Sequence, residues 1–147
     1  MVAVLQQQLR QIGIQLDIRT FEFATFYSYV TKGQFQIYSL RWVGGSNEDP
    51  DIFEYAFHSA RVPPKGANRS FYVNLRVDTL VDQARTETDQ SKRKQMYVEI
   101  QRILANDLPY INLWYLDNVL VHTSRVKNLS LNPPGDYDFL KTAELSH

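Results

Sequence analysis

The sequence predicts an α/β fold, on three observations. Apolar residues recur three or four apart in some segments and alternate strictly in others. The two kinds of segment follow one another along the chain. Glycines stand where the first helical patterns run out, the usual place for a left-handed C′ residue. The order helix, strand, helix, strand is that of βαβ units around a parallel sheet.

Val2, Leu5, Leu9 and Ile12 share one helical face, and Gly13 is placed to end that helix. Ile14, Leu16 and Ile18 then alternate with Gln15, Asp17 and Arg19, the pattern of a half-buried strand. Ala24 to Lys32 reads as a short helix closed by Gly33, and Phe35 to Trp42 as a second strand rich in aromatic and branched residues. A helix of this kind crosses over from a preceding strand, and none stands before Val2, so the pattern opens inside a unit. Val43 to Glu48 reads as a loop, with Gly44-Gly45 able to adopt backbone conformations closed to other residues. Asp49-Pro50-Asp51 reads as a helix start running to about His58, with Asp49 as N-cap and Pro50 at the first helical position.

Residues 59–73 hold Pro63, Pro64 and Gly66 and form the longest irregular stretch. Asn74 caps a helix with Val77, Leu80, Val81 and Ala84 inward. Asp89 or Ser91 opens another with Met96, Ile100, Ile103 and Leu104 inward, which Pro109 stops. Tyr110 to Tyr115 and Val119 to Thr123 read as two strands joined near Asp117-Asn118, and residues 124–147 as a tail turning at Asn132-Pro133-Pro134-Gly135. No linker divides the chain, so residues 1–147 are expected as one domain.

Composition narrows function. The 16 basic and 16 acidic residues of the 147 cancel, which argues against an electrostatic nucleic-acid partner. Absence of cysteine excludes disulfides and thiolate chemistry. No run of about 20 apolar residues is present, so no membrane-spanning helix is expected. The N-terminal residues show no signal-peptide pattern. Ser39, Ser46, Ser59 and Ser70 have His58 and His122 as the bases considered, neither in a recognisable catalytic motif. Asp49, Asp51 and His58 are poorly spaced for one metal ion, and two acids at a helix start are accounted for by its dipole. The acidic group Glu48, Asp49, Asp51 and Glu54 reads more simply as a solvated helix start than as a carboxylate pair.

Aromatic residues carry more information. Phe21, Phe23, Phe26, Tyr27, Tyr29, Phe35, Tyr38 and Trp42 crowd one stretch, and most suit a core. Trp42 ends a predicted strand before Gly44-Gly45, at the edge where open α/β sheets bind ligands. Trp42, Gly44, Gly45 and Asp49 are therefore the candidate ligand-binding residues. Covering the end of the sheet is the alternative role for Trp42.

The stretch from Val4 to Ser59 resembles the C-terminal lobe of the family 5 extracellular solute-binding proteins, the peptide/nickel-type receptors of ABC importers. Ile12-Gly13-Ile14, the following strand and a strand entering a Trp-containing loop before Asp-Pro-Asp carry the resemblance. It continues through Asn68-Arg69, Asn74, Val77-Asp78, Leu80-Val81, Ala84-Arg85 and Leu108-Pro109-Tyr110-Ile111. The resemblance implies a periplasmic-binding-protein-like (type II) lobe, a mixed sheet flanked by helices with the lobe's first strand missing. It also implies a non-enzymatic substrate-binding component that captures a small solute, a di- or oligopeptide, between two lobes. The expected partners are that ligand, the N-terminal lobe and, through the full-length receptor, an ABC permease. The location implied is periplasmic or lipid-anchored at the cell surface, and no cofactor is implied. Where peptide-binding members place an Asp for the ligand's amino group, this chain has Gly44 or Gly45, with Glu48 and Asp49 later in the loop. The ligand stays open between a peptide, another oligomer, an amino compound and a sugar. The alternative reading is a stand-alone lobe that self-associates as a homo-oligomer through an unpaired sheet edge.

Overall fold

The computed structural model describes residues 2–42, 50–114, 117–131 and 137–146. The chain divides into two compact units, Met1–Tyr38 and Ser39–His147.

The first unit holds two helices, α1 (Val2–Gln11) and α2 (Phe23–Thr31). Both end as their sequences predict. Gly13 and Gly33 take positive φ of 83° and 69°. In each case the amide after the glycine reaches back to a carbonyl in the last helical turn: Ile14 to Leu9 at 3.0 Å and Gln34 to Tyr29 at 2.9 Å. Those two bonds satisfy carbonyls that a helix end leaves open. Glu22 caps α2, its carboxylate accepting from Ala24 N at 2.9 Å and Thr25 N at 3.3 Å. Those bonds, Ala24 first, hold its carboxyl below the usual range. On α1, Val2, Leu5 and Leu9 are half-buried while Ile12 is exposed, so the expected apolar face is covered only in part.

The second unit is built on three helices: α3 (Ile52–Phe57), α4 (Leu75–Thr86) and α5 (Gln90–Asp107). Asn74 and Asp89 cap α4 and α5 through their side chains. Val77, Leu80, Val81 and Ala84 of α4 meet Tyr97 and Ile100 of α5 in the core, with Phe53, Tyr72, Met96, Ile103 and Leu104 packed around them. Phe53 stands 5.6 Å from Tyr97, ring to ring, which seats α3 on this pair. Helix α3 starts later than expected: Asp51 precedes it without a side-chain capping bond, and Asp49 lies outside the described residues.

The irregular stretch after α3 is closely packed. A 3-10 turn spans Ser59–Arg61, and Ala67 and Asn68 are fully buried. The Asn68 side chain donates to His58 O and Tyr72 O (3.2 and 2.8 Å) and accepts from Tyr72 N and Ser70 Oγ (3.0 and 3.2 Å). Four bonds to one amide replace the ladder or helix that this backbone lacks. Gly66 lies against the turn so closely that a Cβ there would stand 2.6 Å from Arg61 Cβ.

The expected strands are the main correction. Ile14–Ile18, Phe35–Trp42, the described part of Tyr110–Tyr115, and Val119–Thr123 form no ladder among the described residues. The described sheet is two-stranded and antiparallel: β1 (Val126–Lys127) and β2 (Glu144–Leu145), pairing Val126 with Leu145 and Lys127 with Glu144. Alternation specifies a segment with one apolar face, whereas a strand also needs a neighbour to exchange hydrogen bonds. The turn expected at Asn132–Gly135 lies outside the described residues.

Candidate functional site

Of the four predicted ligand-binding residues, Trp42 is described, while Gly44, Gly45 and Asp49 lie outside the described residues. Trp42 is not a core residue. It is 40% exposed, and among the described residues of its own unit its indole has an aromatic and a cationic neighbour. Tyr55 of α3 lies with its ring centroid 6.3 Å away, tilted by 55°. The Arg69 guanidinium lies over the indole, with Cζ 5.2 Å from the ring centroid, within the range of a cation–π contact.

The chain brings these three together through the packed stretch after α3. Ala67 N donates to Tyr55 O at 2.9 Å, and Arg69 N to Ala67 O at 2.7 Å. Asn68, between them, is held by the four bonds described above. Tyr55 and Arg69 are therefore joined through main-chain bonds, and Trp42 stands against both. Arg69 is itself 92% removed from solvent, retaining 8% of its exposure. The resemblance had singled out Asn68-Arg69 without assigning either a role. The partnership of Arg69 with Trp42 is visible only once the chain is folded.

A second polar group lies nearby along the chain. Asp78, buried on α4, accepts from Ser59 N at 2.9 Å and Ser59 Oγ at 2.5 Å. His58 Nδ1 accepts from Ala60 N at 3.0 Å, and its Nε2 faces Asp82 Oδ1 at 3.5 Å. The serine proton is directed at a carboxylate, and the histidine nitrogen beside it is occupied by a backbone amide. That is the arrangement of a helix-to-turn clasp and not of a nucleophile with its base. Glu54 makes a similar clasp, shared by Arg61 (Nε to Oε1 2.5 Å) and Arg85 (3.3 Å).

The comparisons with known proteins agree with one another. Residues 1–63, which include α1, α2 and Trp42, match the family model described as bacterial extracellular solute-binding proteins, family 5, middle. The chain is 33% identical over 87% of its length to the probable D,D-dipeptide-binding periplasmic protein DdpA of Escherichia coli (strain K12), covering 25% of that protein. It is 28% identical over 95% of its length to the di/tripeptide-binding protein 4 of Pseudomonas aeruginosa (strain UCBPP-PA14), covering 26% of it. The solved structure of the oligopeptide-binding protein AppA from Bacillus subtilis, in complex with a nonapeptide, superposes with a TM-score of 0.83 at 24% identity. That match covers 99% of this chain and 29% of AppA.

The structural match shows the fold, that of part of a type II periplasmic binding protein. The chain spans about a quarter of the length of the curated relatives it matches. The first 63 residues are thus similar to the bacterial extracellular solute-binding proteins of family 5, and nearly the whole chain is similar to a quarter of these periplasmic relatives.

Proposed function

We propose that this chain forms part of the ligand-holding wall of a periplasmic solute receptor for di- or oligopeptides, with Trp42 in contact with the ligand. The observation that carries the reading is the likeness along nearly the whole chain to relatives named as peptide-binding proteins. The half-open indole of Trp42 supports the site, since aromatic surface with a few convergent polar groups suits a small ligand. Gly44, Gly45 and Asp49 complete it in this reading, the glycines leaving backbone amides uncovered and Asp49 supplying charge. The receptor closes on its ligand by a hinge motion between lobes and delivers it to an ABC permease. No bond is made or broken, so the function is binding and not catalysis.

Calorimetric titration of the purified chain with a defined mixture of di- and tripeptides tests the proposal. Saturable binding is expected, with Trp42→Ala weakening it at least tenfold, as loss of a buried aromatic anchor does. Binding that survives Trp42→Ala unchanged removes the site assignment. No saturable binding of any peptide by the two-lobed receptor that contains this chain removes the peptide reading.

A further inference from the structure

We infer that Arg69 is the positioning residue of this site: it holds the Trp42 indole in the orientation that a ligand meets. The inference rests on the reading of Trp42 as a ligand contact. Two observations carry it. The Arg69 guanidinium lies over the indole, 5.2 Å from its centroid, so one region of the ring is already occupied. Arg69 is also fixed from behind. The fully buried Ala67 and Asn68 precede it, and Ala67 is bonded to the carbonyl of Tyr55, the other aromatic neighbour of Trp42.

A tryptophan 40% open to solvent would ordinarily move between rotamers. Here its two contacts belong to one hydrogen-bonded frame, so the ring has a defined place before any ligand arrives. Holding a ligand contact in place beforehand lowers the ordering cost of binding. The side-chain type fits this role. A planar guanidinium stacks on an aromatic face, whereas a lysine ammonium acts as a point charge on a flexible stem.

The alternative is that Arg69 merely covers the indole with its stem. Methionine would then serve as well. In a chain carrying Trp114→Phe, all indole emission comes from Trp42, because the sequence holds two tryptophans. Adding Arg69→Met should lower the fluorescence anisotropy of Trp42 and raise its quenching by acrylamide about twofold. Arg69→Lys should restore these signals only in part. Far-UV circular dichroism and the unfolding midpoint report the fold of each variant. If Arg69→Met fails to fold, Arg69→Lys alone decides, and parent-like anisotropy and quenching in it overturn the inference.

Calorimetry with trialanine provides the second readout. A roughly tenfold loss of affinity in Arg69→Met, beside its loss in Trp42→Ala, supports the inference. Unchanged anisotropy and quenching in a folded Arg69→Met overturn it, even where Trp42→Ala abolishes peptide binding. Altered Trp42 signals with no trialanine binding by the parent chain support the positioning role, and it is the absence of peptide binding by the two-lobed receptor that counts against the peptide reading.

Discussion

Asp78 sits at the margin of the apolar stripe of α4, and its carboxylate joins that helix to the turn that follows α3 through Ser59. Removing it leaves a half-buried backbone amide and a hydroxyl without their acceptor. Asp78→Ala is expected to destabilise the second unit by about 2–3 kcal/mol, read as a lower midpoint in urea unfolding with an unchanged slope. A variant as stable as the parent would show that Ser59 finds another partner. At this scale the sequence was partly legible. Asn74 and Asp89 are recognisable caps because their short side chains reach the next amides. Glu22 does the same work for α2 from a residue type that seldom caps, so no local signal announced it. Trp42 is proposed as a ligand contact from its place before Gly44-Gly45. Arg69 could not be read as its partner, because an arginine among polar and small residues looks like surface until folding brings the indole to it.

The α4–α5 pair is tied at one end by a small polar latch. Tyr72 Oη donates to Asp107 Oδ2 at 2.5 Å, and the Asn74 amide donates to the same oxygen at 3.0 Å. Burial, then the bond to Asp107, pushes the Tyr72 phenol up to about 12. The Tyr72 bond, followed by those from Asn74 and Asn106, holds the Asp107 carboxyl below its usual range. The signs are opposite. The tyrosine contribution is fully present below its ordinary value of about 10 and is lost as pH rises towards about 12. The aspartate contribution is present above its ordinary value of about 4 and is lost as pH falls below it. Thermal melts across pH should therefore show a plateau between those limits. Tyr72→Phe should flatten the alkaline arm, shrink the acidic one and lower the plateau midpoint by a few degrees. Unaltered arms in that variant would show that the latch makes no contribution. Helices of this kind are legible because periodicity and caps are local. The strands expected at Ile14–Ile18 and Phe35–Trp42 failed for the complementary reason: pairing is a property of two segments, and one segment's pattern cannot supply the other.

Across the whole molecule, cover is unevenly shared. In the second unit, α4 and α5 bury a continuous apolar core. Among the described residues of the first unit, Val30 is the buried hydrophobic one, and Ile12, Phe23 and Ile37 are each more than half exposed. Val119 and Val121 are 80% and 90% exposed. Where exposed apolar side chains are contiguous, they mark contact surfaces. Two outcomes follow. Native-state hydrogen exchange should be slowest in the amides of α4 and α5 around Ile100, and fast at residues 15–20, 35–42 and 119–123, which have no ladder. Protection there equal to that of α5 would contradict the described pairing. Sedimentation should show mass rising with concentration in the purified chain, and glutamate in place of Val119 and Val121 should reduce it. A single monomeric species at all concentrations would show that these segments find cover within the chain.

Gly66 bears on what its position can hold. Its closest neighbours are the Cβ and carbonyl of Arg61, at 2.6 and 2.7 Å from where a side chain would begin. That carbonyl also receives the amide of Asn68 at 2.9 Å. Any side chain at this position would begin where Arg61 already stands, so replacing the glycine requires the backbone of the turn behind Trp42 to move.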